Sequence, residues 1–226
     1  MTKKNKIIKE TINKKISYNF NKAIEILKKL SSKNFIETVE ISINIQTNSK
    51  DLNMRGYSLL PNNSGKKLKI AVFVDDEELK NINSSNIDLF IDNKEINNIK
   101  ENKIHFDIIM TTPKSILKLS QIGNILGPRG LMPNIKYGTI TNEINKNIED
   151  MKTKYIKFKN DKNNIIHAII GKINFETSKL KENLESLIKD IKKSKPIECK
   201  KMIISKITLS TTMGPGLTIN SNSLTY

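Results

Sequence analysis

The chain has 226 residues, enough for one large or two small domains, each able to bury a core. Its 39 lysines and arginines exceed its 23 aspartates and glutamates by 39 − 23 = 16, which points to a polyanionic partner and away from a tight monomeric enzyme. Apolar residues at 37% place it above a disordered basic tail, the single Cys199 excludes an internal disulfide, and no run reaches the roughly 18 apolar residues of a membrane span, so a folded, soluble, cytoplasmic protein is expected. Charges interrupt every apolar pair of MTKKNKIIKETINKKIS, which excludes a signal peptide there.

Ile8, Ile12 and Ile16 recur every four residues, and Ala23, Ile26, Leu27 and Leu30 repeat helical spacing, so two short helices open the chain. From Phe35 the period changes to two. Val39, Ile41, Ile43 and Ile45 alternate with Glu40, Ser42 and Asn44, which describes a strand with one wet face. RGYSLLPNNSGKK gives a second strand ending in a Pro and Gly loop. Beyond Lys67, the short apolar runs LKIAVFV, IDLFI and FDIIMTT are separated by helix-length stretches, as in parallel strands with crossover helices.

One helix is predicted from Pro113 to about Ile125, stopped by the loop GNILGPRGLMPNIKYGTIT. Another carries Glu143, Ile144, Ile148 and Met151. Strands return at YIKFK and IIHAIIGKINF, and a helix with Leu180, Leu184, Leu187, Ile188 and Ile191 on one face is closed by Pro196. The final strand, MIISKITLSTT, ends in MGPG.

Lysine, isoleucine and asparagine fill almost half the positions, a bias that resembles drift in an AT-rich genome. Only Arg55 and Arg129 remain as arginines, and both stand beside a glycine. Uniform drift would spread lysine evenly. Instead residues 67–156 hold 13 basic and 12 acidic side chains, and the remainder 26 and 11, net +1 against net +15. A nearly neutral α/β domain inserted into a basic one accounts for this split.

Three motifs carry candidate chemistry. GPRGLMPN, residues 127–134, reads either as a structural hairpin or as a loop presenting Arg129 to a phosphate or a base. STTMGPG, residues 210–216, reads either as a β-turn after a hydroxyl-rich strand end, or as an RNA contact. In the second reading Ser210, Thr211 and Thr212 donate to phosphates and 2′-hydroxyls, and Met213 supplies an apolar surface. KNFIETVE puts Lys33, Phe35, Glu37 and Thr38 at the mouth of the first strand, where Phe35 either stacks on a base or fills the core. His167, in IIHAIIG, is either a satisfied buried histidine or a ligand. No P-loop is present: no GK[ST] follows Gly123, Gly127 and Gly130, and in SGKK the leading glycine position holds Leu60. Two histidines and one cysteine, all distant in sequence, form no nucleophile–base arrangement and no zinc site. No enzyme, cofactor or metal is expected.

The run ILGPRGLMPN…GTIT closely resembles the signature of the universal large-subunit ribosomal protein L-one family, the proteins of the mobile stalk beside the tRNA exit site. KNFIETVEISINI, RGYSLLPNNSGK, FDIIMTTP, IIHAIIGKINF and TLSTTMGPG resemble that family's other blocks in order and spacing, so the likeness spans essentially the whole chain. The resemblance implies an α/β protein of two domains. A discontinuous basic RNA-binding α+β domain would be formed by 1–66 and 157–226, and an inserted Rossmann-like α/β domain by 67–156.

It further implies binding to large-subunit rRNA in the ribosome, a tRNA partner at the exit site with help in releasing deacylated tRNA, and, as an alternative role, repression of the protein's own mRNA. By resemblance Phe35, Thr38, His167, Thr211, Thr212, Met213 and Gly214 lie at the RNA surface, and Lys33, Glu37 and Ser210 join them from the motif reading. Gly127, Pro128, Arg129, Gly130, Met132 and Pro133 form a second-domain loop. The family usually has proline at Ile135 and glycine before IDLFI, so this chain departs in its insert and the loop loses a rigid residue.

Overall fold

The computed structural model describes residues 8, 12–13, 16–32, 34–47, 54–74, 87–91, 104–196 and 202–224. Lys33, Cys199 and most of the first predicted helix lie outside them. The chain is an α/β protein of two compact units, Met1–Gly65 with Lys154–Tyr226, and Lys66–Thr153. Lys154, Tyr155 and Ile156, read from sequence as part of the insert, group with the outer unit because Tyr155 and Ile156 open a strand there. Residues 66–153 hold 13 basic and 12 acidic side chains, leaving 26 and 11 to the outer unit.

In the outer unit, helix α1 (Phe20–Leu30) starts at Asn19, whose side chain accepts from the Asn21 amide. Strand β1 (Thr38–Thr47) follows, then β2 (Arg55–Leu59). After the insert come β6 (Tyr155–Lys159), β7 (Ile165–Lys172), helix α5 (Thr177–Lys193), β8 (Met202–Thr211) and a short β9 (Leu217–Ile219) that the sequence reading did not identify. The main sheet is antiparallel in the order β7-β1-β8-β9, and β2 and β6 form a separate two-stranded ribbon.

The alternation on β1 does what period two requires. Val39, Ile41, Ile43 and Ile45 face a core shared with Ile166, Ala168 and Ile170 of β7 and Ile207 and Leu209 of β8. Onto that face pack Ala23, Ile24 and Leu27 of α1 and the Leu180, Leu184, Leu187, Ile188, Ile191 stripe of α5. With both helices on one side, the other face of the sheet keeps its polar residues toward solvent.

The insert has a parallel sheet in the order β4-β3-β5, from β3 (Ile70–Phe73), β4 (Leu89–Phe90) and β5 (Ile108–Thr111). Every side chain of β3 and β5 is buried, as parallel strands covered on both faces demand. In place of the single predicted helix there are two, α2 (Ile116–Ser120) and α3 (Gly123–Arg129), followed by α4 (Ile144–Lys154). Gly127, Pro128 and Arg129 are therefore helical rather than part of a loop. A proline disfavours the α conformation before it by contact of its Cδ with the preceding N–H and Cβ, and Gly127 lacks the Cβ part of that clash.

The helix ends in a paired hydrogen-bond cap: Gly130 N–H donates to Gly127 O and Leu131 N–H to Leu126 O, both at 2.9 Å, with Gly130 at φ 63° and ψ 37°. Leu126 and Leu131 meet in the insert's core, where Met132 also packs, and Pro133 is buried. Arg129 is thus exposed at a rigid helix end. The loop around Ile135 is closed by Thr139, whose Oγ1 accepts from Asn134 N–H at 2.7 Å and donates to Asn134 O at 3.0 Å.

Candidate nucleic-acid interface

Register places the candidate residues at one end of the four-stranded sheet. Thr38 opens β1 opposite Lys172, the last residue of β7, and Val39 lies opposite Thr211, the last of β8. Residues 212–216 then turn the chain into β9, where Leu217 pairs with Leu209.

Glu37 holds this end together. Its side chain is fully buried, Oε1 accepts from Ser32 N–H at 2.6 Å and Oε2 from Met213 N–H at 3.4 Å, while its carbonyl accepts from Ile173 N–H at 3.0 Å. One residue thereby joins the segment after α1, the exit of β7 and the β8–β9 turn. Thr38 continues the junction. Its N–H donates to Thr212 Oγ1 at 3.1 Å, its carbonyl accepts from Thr212 N–H at 3.1 Å, and its Oγ1 accepts from Lys172 Nζ at 2.8 Å. Lys172 is itself steered by Gly65, at φ +75°, where a Cβ would lie 2.5 Å from Lys172 Cγ. The glycine of the rejected SGKK motif therefore serves the position of a cation.

Around this buried junction, large apolar side chains face solvent: Phe35 is 48%, Ile36 56% and Met213 63% exposed. The core reading of Phe35 is thus overturned, since the chain turns inward only at Glu37. Glu37 and Thr211, expected at the RNA surface, are instead buried. The Thr211 hydroxyl, 3% exposed as a residue, has no hydrogen-bond partner among the described residues. It sits under Gly214, where an added Cβ would fall on Thr211 Oγ1.

Gly214→Ala should therefore cost about 1–3 kcal/mol by overpacking. Most of that loss should return in Gly214→Ala with Thr211→Ala, read by denaturant unfolding. An equal loss in both backgrounds would show that the contact is not what requires glycine.

His167 also departs from the buried reading. It stands on the outer face of the sheet, in a row that runs His167, Ser42, Thr208, Thr218 across all four strands. Nδ1 lies 3.0 Å from Ser42 Oγ and Nε2 3.6 Å from Asp161 Oδ2. Amide donation from Ile165, helped by Asn163 and by His167, holds the Asp161 carboxyl below its usual range against a smaller desolvation cost. From Thr38 to Ser42 is four residues, about 13 Å of strand. His167 therefore belongs to a stripe leading away from the strand-end cluster.

Ser210, opposite Glu40, is half-exposed on the same face, with Lys206 opposite Asn44. Sequence alternation marked Ser42, but Thr208, Thr218, Lys172 and Lys206 carried no signal, because only cross-strand register puts them in the stripe. Among the described residues no group of three histidines, cysteines or carboxylates could hold a metal ion, and no helix is long and apolar enough to cross a membrane.

The model of the ribosomal protein L1p/L10e family matches residues 27–215. The chain is 38% identical, over its full length and 97% of the relative, to the large ribosomal subunit protein uL1 of Pseudoalteromonas atlantica. It is 37% identical to the protein of that name from Colwellia psychrerythraea, over its full length and 98% of the relative. The match runs through KNFIETVE and the STTM of the β8–β9 turn alike, so the chain belongs to the ribosomal protein L1p/L10e family.

Proposed function

We propose that this protein is a structural constituent of the large ribosomal subunit that binds large-subunit rRNA at the mobile stalk near the tRNA exit site and assists release of deacylated tRNA. One observation carries the RNA-binding part. Solvent-facing Phe35, Ile36 and Met213 surround a buried junction whose rim offers the Thr212 hydroxyl and the Lys172 ammonium. Exposed apolar rings and thioethers fixed beside hydroxyl and cationic donors suit unstacked bases, 2′-hydroxyls and phosphates of a folded RNA. The Glu37 and Thr38 hydrogen bonds tie down the backbone that carries these side chains, so ordering that backbone on contact costs little freedom. Electrostatics support the same partner, because the outer unit carries +15 of the chain's +16.

The test separates fit from charge. Met213→Ala should weaken binding to the large-subunit rRNA of the same cell by about tenfold or more while changing binding to poly(U) less than about twofold, since the fit to a folded RNA is lost with the side chain and the phosphate attraction common to both RNAs is kept. Equal losses on the two RNAs would remove the strand end as the specific site. A messenger segment of similar shape would engage the same face. Cosedimentation with ribosomes against free messenger ranks that repressor role beside the ribosomal one.

A further inference from the structure

The chain's methionines are treated unequally by the fold. Met54, Met110 and Met151 are buried, while Met132 and Met202 are half-buried and pack against the cores of the two units. At 63% exposure, Met213 is the one methionine among the described residues that faces solvent. Apolar burial gives the others a structural purpose, and Met213 does not share it.

The backbone of Met213 is nevertheless fixed. Its N–H donates to the buried Glu37 carboxylate at 3.4 Å, and Gly214 N–H donates to the Thr211 carbonyl at 2.9 Å, so main-chain bonds hold the turn. A chemical change at the sulfur therefore alters the surface and leaves the fold standing.

Thioether chemistry names the change. The sulfur attacks one oxygen of hydrogen peroxide: an S–O bond forms, the O–O bond breaks, sulfur gives up two electrons, and the other oxygen leaves as water. The product is a sulfoxide, polar and chiral where the thioether was apolar. A peroxide must reach the sulfur from solution, which selects Met213 over the half-buried pair. The new polarity falls beside exposed Phe35 and Ile36, on a rim that also holds the Thr212 hydroxyl and the Lys172 ammonium. A sulfoxide oxygen accepts hydrogen bonds from water and must shed them on contact, so it opposes the apolar contact that a base or sugar makes with a thioether. The lysine charges are untouched.

We propose that Met213 is an oxidation site that controls RNA binding: peroxide converts its thioether to the sulfoxide and weakens specific binding, while charge-driven binding persists. Reduction reverses the step, two thiols of a reductase closing to a disulfide as the oxygen leaves in water. The proposal rests on the RNA-binding reading above and adds a control to the same surface. RNA seated on the strand end covers the thioether, so the unbound protein is the form that peroxide withdraws from RNA.

The test treats the full chain with hydrogen peroxide and follows each methionine by peptide mass spectrometry. Met213 should oxidise before Met132 and Met202, and saturation with large-subunit rRNA from the same cell should slow Met213 but not Met132. With Met213 converted, rRNA affinity should fall about tenfold while poly(U) affinity changes less than about twofold, because the phosphate attraction is kept. The melting temperature should match that of the reduced protein. Treatment with the two stereospecific methionine sulfoxide reductases should restore mass and rRNA affinity together.

Met213→Leu, whatever its own affinity, should bind rRNA equally before and after the same dose of peroxide. A Met213 that oxidises no faster than Met132, an rRNA affinity that survives the sulfoxide, or a peroxide loss that persists in Met213→Leu overturns the proposal. The two readings fail distinguishably. If Met213→Ala weakens both RNAs equally, the strand end is removed as the specific site and the switch goes with it; if Met213→Ala loses rRNA selectively and the sulfoxide does not, only the switch is removed.

Discussion

Glu37→Ala should melt about 4–16 °C below the wild type and lose specific RNA binding, although it raises the net charge from +16 to +17. The stability figure follows from what the substitution strands. The buried carboxylate accepts from the Ser32 and Met213 amides, and hydrogen bonds to charged groups contribute about 1.5–3 kcal/mol each, less for the longer one to Met213, so a loss of about 2–4 kcal/mol is expected. The binding figure has the opposite sign from simple electrostatics, which favours removal of any carboxylate near RNA.

If the role of Glu37 is to hold the β8–β9 turn against the start of β1, then Met213 and Thr212 lose their fixed positions and the added charge strengthens only binding to poly(U). Glu37→Gln keeps one oxygen acceptor but turns an amide donor toward a second N–H, and should fall between the two. Calorimetry and titration with both RNAs decide the matter. A variant that melts with the wild type, or binds rRNA more tightly, removes Glu37 as the organiser.

That sign reversal marks the boundary of what the sequence could tell. The strands and helices were legible because hydrophobic spacing reports one-dimensional facts: which face of β1 is wet, which stripe of α5 is apolar. The discontinuous basic unit was legible from charge density, because a count needs no geometry. What stayed hidden depends on register or on a local exception. Glu37 read as a member of the RNA surface at the mouth of the first strand, and only the approach of the Ser32 and Met213 amides shows that it is a buried internal acceptor. Thr211 looked like one of three hydroxyl donors, yet alternation on β8 turns it inward while Ser210 faces out. The helix through Gly127 and Pro128 contradicts the usual reading of both residues, and is eased because the first lacks the Cβ that would crowd the ring of the second. β9 was missed because its three residues are too few to show a period.

Gly171→Ala should cost about 2–3 kcal/mol and displace the Lys172 cation, and its logic connects core to site. Between β1 and β7 the pairing runs Glu40 opposite Ile169 and then Val39 opposite Gly171, so Ile170 is an extra, buried residue in a bulge. Gly171 takes φ 153°, and an added Cβ would lie 2.7 Å from Leu180 Cδ2 and 3.0 Å from Phe175 Cδ2. Helix α5 therefore rests against bare backbone at the point where β7 aims Lys172 at Thr38 and passes Ile173 N–H to the Glu37 carbonyl. A methyl group there pushes either the helix or the strand end, and the strand end is the less deeply packed of the two.

A double-mutant cycle identifies the contact. Leu180→Ala alone opens a cavity and costs about 2–5 kcal/mol, but in the Gly171→Ala background the space it vacates accepts the new methyl, so the pair should cost about 1–2 kcal/mol less than the sum. Leu184→Ala, one turn along α5 and outside the contact, should add to Gly171→Ala without coupling. Full additivity with Leu180 would mean that the glycine answers to its backbone angle alone, and that the packing of α5 does not reach the end of the sheet that carries Lys172 and Glu37.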